Sequence, residues 1–161
     1  MLASPCGQSV GATVGFLVDD SKVQQLLRSL GARYSWGSGT LADGLARWPD
    51  GPFDCSGFAQ AALRVLGLVK PGAWGDESAK GLAYRCDPVT PGDEKLGDLC
   101  FYGQRTIDHV TVYLGNGVTI GCNGGTSSTK GDNPSACVQI RPVGYRNDLR
   151  TIGRLKPEYR P

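Results

Sequence analysis

Asp108-His-Val-Thr-Val-Tyr-Leu-Gly-Asn-Gly-Val-Thr-Ile-Gly-Cys-Asn123 is the stretch on which the fold turns. Val110, Val112 and Leu114 alternate with His109, Thr111 and Tyr113, the period of two that sends successive strand side chains to opposite faces. Asn116-Gly117 is the strongest short hairpin signal, so a second strand returns over Val118 to Cys122. Outward from this hairpin, Leu99 to Tyr102, Cys137 to Val143 and Thr151 to Leu155 read as further strands. Upstream the period is helical. Asp20-Ser21 caps a helix in which Val23, Leu26, Leu27 and Leu30 share one face, and Gly31 is placed to end it. Ser56 to Gly67 predicts a second helix with Phe58, Ala61, Ala62, Val65 and Leu66 as its apolar face. Asp76–Tyr84 predicts a shorter third. Pro49 and Pro52 make residues 40–53 a loop, and Pro88 and Pro91 mark another. A strand is expected at Ala12–Val18. Helices precede strands, so the chain is α+β, with helices packed on an antiparallel sheet of five or six strands. No boundary or repeat divides it: residues 1–161 form one domain, with 1–19 weakly patterned and 144–161 a C-terminal strand and tail. Thr126–Ser135 is expected to be the most flexible stretch.

The 161 residues suffice to bury roughly two-thirds of the unfolded surface without help from a metal or disulfide. A net charge of +2, with no basic run interleaved with aromatics, argues against nucleic acid. No stretch approaches the ~18 apolar residues of a spanning helix, so membrane insertion is not expected. Met1-Leu-Ala-Ser-Pro-Cys6 lacks the basic start and apolar run of a secretory signal. The expectation is a protein made in the cytoplasm and carried outward by a virion or released at lysis. Six cysteines show no Cys-x-x-Cys and there is one histidine, so neither metal nor cofactor is implied. Free thiols are the default. Cys100 reads as a small buried apolar residue, and Cys122 and Cys137, flanking a polar loop, are a pair that could bridge.

Chemistry concentrates at Phe53-Asp-Cys-Ser-Gly-Phe58. A thiol at a helix start meets exposed amides that favour thiolate, and Asp54 or Ser56 can cap that helix. Gly57 lets a backbone or substrate approach closely. The bland alternative is a buried core cysteine. His109 is the one candidate base. It stands on the strand face opposite Val110 and Val112, which places it toward whatever packs there, the Cys55 helix being the expected neighbour. Alone it would read as a solvent-facing histidine. A third group usually orients such an imidazole. Asn123 is the polar side chain on the right face of the next strand, although Asn-Gly-Gly is also turn chemistry.

These residues resemble the NlpC-type cell-wall cysteine peptidases, a papain-like superfamily of α+β domains. Arg33-Tyr-Ser-Trp-Gly37 is similar to the family's Tyr-x-Trp-Gly motif, and Phe53-Asp-Cys-Ser-Gly-Phe58 to its nucleophile motif. Leu96-Gly-Asp-Leu-Cys-Phe-Tyr102 and His109-Val-Thr-Val-Tyr-Leu-Gly-Asn-Gly117 resemble its Gly-Asp-Leu and histidine strands. Order and spacing agree over roughly residues 22–123. The resemblance implies Cys55 as nucleophile and His109 as base. It also implies substrate contacts from Tyr34, Trp36, Asp54 and Ser56, and an oxyanion held by the Cys55 amide and a second donor such as Tyr34. The implied substrate is the stem peptide of peptidoglycan. Two departures stand out. Ile120-Gly-Cys122 replaces an Ile-His-Ala-like pattern, so that the orienting role shifts to Asn123, the site works with two residues, or it is impaired, and Gly37 is followed by Ser38. Short versions of this kind resemble phage tail or lysis peptidases, which makes phage tail proteins expected partners. Competing readings are an acyl transferase using the same Cys–His pair, a structural or plug component of a phage tail, and a disulfide-stapled binding domain.

Overall fold

The computed structural model describes residues 20–161. The strand expected at Ala12–Val18 lies outside the described residues. Among these residues six strands form one antiparallel sheet: β1 (Cys86–Pro88), β2 (Leu99–Tyr102), β3 (His109–Gly115), β4 (Val118–Asn123), β5 (Cys137–Pro142) and β6 (Leu149–Leu155). Their spatial order is β1-β6-β2-β3-β4-β5. The β3–β4 hairpin turns through Asn116 (φ 51°) and Gly117 (φ 75°). Both are left-handed, as a two-residue hairpin turn of this hand requires. β1 was not expected: it is three residues long, ends in Pro88 and, among the described residues, pairs only with β6.

Among the described residues four helices accompany the sheet: α1 (Ser21–Leu27), α2 (Gly44–Arg47), α3 (Cys55–Val65) and α4 (Ala79–Tyr84). Asp20 caps α1, accepting the Lys22 amide at 2.9 Å. The loop expected over 40–53 holds the single turn α2, tied by Arg47 Nε donating to Asp43 at 2.9 Å. α4 begins later than the periodicity predicts. Residues 76 and 77 are drawn instead to the fully buried Gln60 of α3. Its Nε2 donates to Asp76 Oδ1 (3.1 Å) and the Glu77 carbonyl (3.2 Å), while its Oε1 accepts from Trp74 Nε1 at 2.9 Å. A buried amide so satisfied avoids the cost of orphaned polar atoms.

α3 positions the site. Phe58, Ala59, Ala62 and Leu63 bury against Val110, Val112 and Leu114 in one core cluster. Phe58 stands edge-on to Phe53 (ring centroids 5.7 Å apart) and stacks on Trp48 at 5.8 Å. Gly57 permits close approach of backbone: a Cβ there would lie 2.0 Å from the Ser38 carbonyl oxygen. The other sheet face is buried too. Cys100, Tyr102 and Tyr113 pack there under Val143, Tyr145 and Ile152. His109 pairs in register with Tyr102 and belongs to this second face. The expectation that α3 covers the His109 face is therefore corrected. The alternation identifies two faces, but both are dry, and the helix took the face with valines and leucine.

Cys137 is disulfide-bonded, whereas Cys55, Cys86, Cys100 and Cys122 are free. Cys122 and Cys137 thus do not bridge each other. The Cys122 thiol donates instead to the Phe53 carbonyl at 3.3 Å. The stretch expected to be most flexible is fastened: the Trp36 amide donates to the Thr129 carbonyl (2.8 Å) and the Gly131 amide to the Tyr34 carbonyl (3.0 Å).

Candidate active site

Cys55 is the first residue of α3, and Asp54 is its N-cap. The Asp54 carboxylate is fully engaged. Oδ1 accepts the Gly57 amide at 2.7 Å and the Ser56 hydroxyl at 3.3 Å, and Oδ2 accepts the Gly37 amide at 3.1 Å. Backbone amides of Val110, Ser56 and Cys55 itself are directed at the sulfur. They favour thiolate, but burial outweighs them, and the nearby Asp54 charge adds to burial, so the thiol is pushed up to about 12. Burial thus opposes the thiolate expected from a helix start. Asp54 is likewise raised by burial, against its three hydrogen bonds.

His109 Nε2 lies 2.7 Å from Asn123 Oδ1, both side chains buried. An amide oxygen only accepts, so the ring proton sits on Nε2 and Nδ1 carries the lone pair. Burial drives the imidazole down to about 4, partly offset by the Asn123 bond. The resting pair is a neutral thiol and a neutral imidazole whose free nitrogen can act as base. Asn123 stands where the sequence puts it, and the reason Gly121 bears no side chain is steric. A Cβ there would meet Thr111 Cγ2 at 2.5 Å, so no residue larger than glycine fits.

Cys55, His109 and Asn123 line one cleft of about 490 Å³, together with Tyr34, Trp36, Gly124, Gly125, Asp108, Tyr145 and Arg146. Of the expected substrate contacts, Tyr34 and Trp36 face this cleft. Asp54 and Ser56 are not among its lining residues and serve the helix cap. Trp36 is half exposed, at 52%. Tyr34 is buried, and its hydroxyl is held above the usual range by burial and then by the charge a Cys55 thiolate would bring. Its ring lies flat against Gly125, where a Cβ would come within 2.0 Å of it. Asp108 pairs with Arg146 at 3.3 Å. Sequence reading missed Tyr145 and Arg146, which follow β5 in a short irregular turn with no periodicity to mark them. Among the described residues no three His, Cys, Asp or Glu side chains gather to hold a metal ion.

A helix-borne thiol and a strand-borne imidazole that line one cleft, the imidazole held by an amide, are the groups that a nucleophile and its oriented base require. Residues 31–137 match the NlpC/P60 family, and the chain belongs to that family. It is 38% identical over 100 residues to the peptidoglycan endopeptidase RipB of Mycobacterium tuberculosis, an alignment covering 59% of this chain and 39% of RipB. The chain thus spans about two-fifths of that relative's length. Among solved structures, the P60 domain of M. avium subspecies paratuberculosis antigen MAP1204 superposes with a TM-score of 0.57 at 25% identity, covering 87% of this chain and 95% of that one. RipD of M. tuberculosis, described as a non-catalytic NlpC/p60 domain protein adapted to peptidoglycan binding, superposes with a TM-score of 0.59 at 25% identity, covering 85% and 95%.

Proposed function

We propose that this domain is a peptidoglycan endopeptidase cleaving a stem-peptide amide bond through a Cys55 thioester. Family membership and the likeness to RipB support the substrate. The observation that carries the chemistry is the 2.7 Å contact between His109 Nε2 and Asn123 Oδ1, which leaves Nδ1 unprotonated. Nδ1 takes the Cys55 proton as sulfur attacks the carbonyl carbon. The Cys55 amide, with Tyr34 as second donor, receives the developing oxyanion. The imidazolium returns its proton to the leaving amine, and water, activated by the same ring, releases the acid from the thioester. Because thiol and imidazole are both neutral at rest, proton transfer accompanies attack and no preformed ion pair is required. The same chemistry would serve a bacterial surface enzyme or a phage tail or lysis peptidase with tail proteins as partners. An amine in place of water would make it a transferase.

A binding-only role, as described for RipD, is the second reading, favoured by that structural likeness. Incubating purified protein with defined muropeptides and weighing the products decides between them. The proposal expects peptide fragments from the wild type and none from Cys55→Ala. Intact muropeptides bound equally by both proteins would establish the binding role instead.

A further inference from the structure

We infer that Tyr145 is a positioning residue for the His109–Asn123 pair, an inference that rests on the hydrolase reading for its kinetic consequence. Tyr145 lies beyond residues 31–137, the part of the chain matched to the family. Its hydroxyl donates to Asn123 Oδ1 at 3.2 Å, the same oxygen that receives His109 Nε2. Among the described residues, the far end of that amide has no hydrogen-bond partner: Asn123 Nδ2 is buried and unpaired. The orientation of Asn123 therefore depends on the two donors that converge on its oxygen.

The turn carrying Tyr145 is built to keep it there. Tyr102 Oη donates to the Val143 carbonyl at 2.7 Å. The Tyr102 ring meets Tyr145 edge-on, with centroids 5.4 Å apart, and lies 5.9 Å from the imidazole. Tyr145 thus joins β2, β3 and β4 at the rim of the cleft it helps to line.

Removing the hydroxyl leaves His109 alone to hold the amide oxygen inward against an unpaired buried Nδ2. In the reversed amide, Nδ2 donates to His109 Nε2. The ring must then carry its proton on Nδ1, and Nδ1 can no longer accept from Cys55. Tyr145 acts through Asn123 on the tautomer of His109.

The chain has one histidine, so imidazole 15N shifts report the tautomer without assignment ambiguity. In Tyr145→Phe, which keeps the ring packed on Tyr102, the expected result is a detectable Nδ1–H population. With it comes a kcat lower by about fivefold, the worth of one neutral hydrogen bond, with KM unchanged. An Asn123→Asp background supplies the control, because a carboxylate has no donor end to reverse. There Tyr145→Phe should leave the Nε2–H tautomer intact. Wild-type 15N shifts in Tyr145→Phe, or an equal tautomer change in both backgrounds, would overturn the inference. If no variant or wild type cleaves muropeptides, the hydrolase reading fails while the 15N comparison still decides the role of Tyr145. A variant that melts well below the wild type is decided by the Asn123→Asp comparison run below both melting temperatures.

Discussion

Lowering the pH from 7.5 to 5 should weaken the fold by about 2 kcal/mol through His109 alone. The imidazole titrates near 4 in the folded protein because burial penalises its charge, whereas an unfolded chain returns it to about 6.5. Between those values the unfolded state binds more protons than the native one. Stability is then fully present above pH 6.5 and falls as the pH drops through 4. The full difference of about 2.5 units corresponds to about 3 kcal/mol, of which about 2 kcal/mol is expended by pH 5. Asp54, raised by its burial, opposes this with the reverse sign. The comparison must therefore be a difference between wild type and His109→Gln, in which the Asp54 contribution cancels. Urea unfolding of both, at pH 7.5, 6 and 5 and without a histidine tag, gives that difference. The wild type should lose about 2 kcal/mol more than the variant. The single imidazole C2–H resonance gives the native titration directly. A midpoint near 6.5, with equal acid destabilisation in both proteins, would refute the claim that burial governs this histidine and would leave the neutral-pair mechanism without its premise.

Alkylation of Cys55 by iodoacetamide should rise about tenfold per pH unit from 7 to 9, because the thiol titrates near 12. A rate already level at pH 6 would show a preformed ion pair. The acid limb of kcat/KM should lie near pH 4, where the base protonates, and a limb at 6.5 measured on defined muropeptides would contradict it. Gly121→Ala drives a methyl group into Thr111 and toward Asn123 Oδ1, 3.3 Å away. It should cost about 1–3 kcal/mol in urea unfolding and reduce kcat, and a neutral effect on both would show that the strand yields there. Arg154→Ala strips the bidentate partner from Asp98, a carboxylate 3% exposed. It should destabilise by about 3 kcal/mol, with Arg154→Ala and Asp98→Asn compared by chemical denaturation.

Local chemistry made part of this molecule legible in its sequence. Asn116-Gly117 dictates its own turn, and the period of two on either side dictates the hairpin. Phe58 and the alanines of α3 mark a helix that packs closely. Cys55 and His109 announce themselves by residue type, and Asn123 by its position on the facing strand. What sequence did not disclose is set by distant neighbours. The face covered by α3 could not be read, since residues on both faces of β2 and β3 are buried. The protonation of Cys55 depends on a burial penalty that no spacing encodes. Tyr145 and Arg146 sit in an aperiodic turn whose value comes from the path between β5 and β6. β1 is too short and too polar to carry a period, and exists because β6 offers it an edge.

The place of β6 has a bearing on biosynthesis. Last of the described strands to leave the ribosome, it lies between β1 and β2 and gives both a neighbour. A nascent polypeptide halted after β5 holds its thiol and imidazole but lacks the sheet's penultimate member and the tyrosine at the rim. Assembly of the cleft must wait until β6 and the turn that carries Tyr145 have been made.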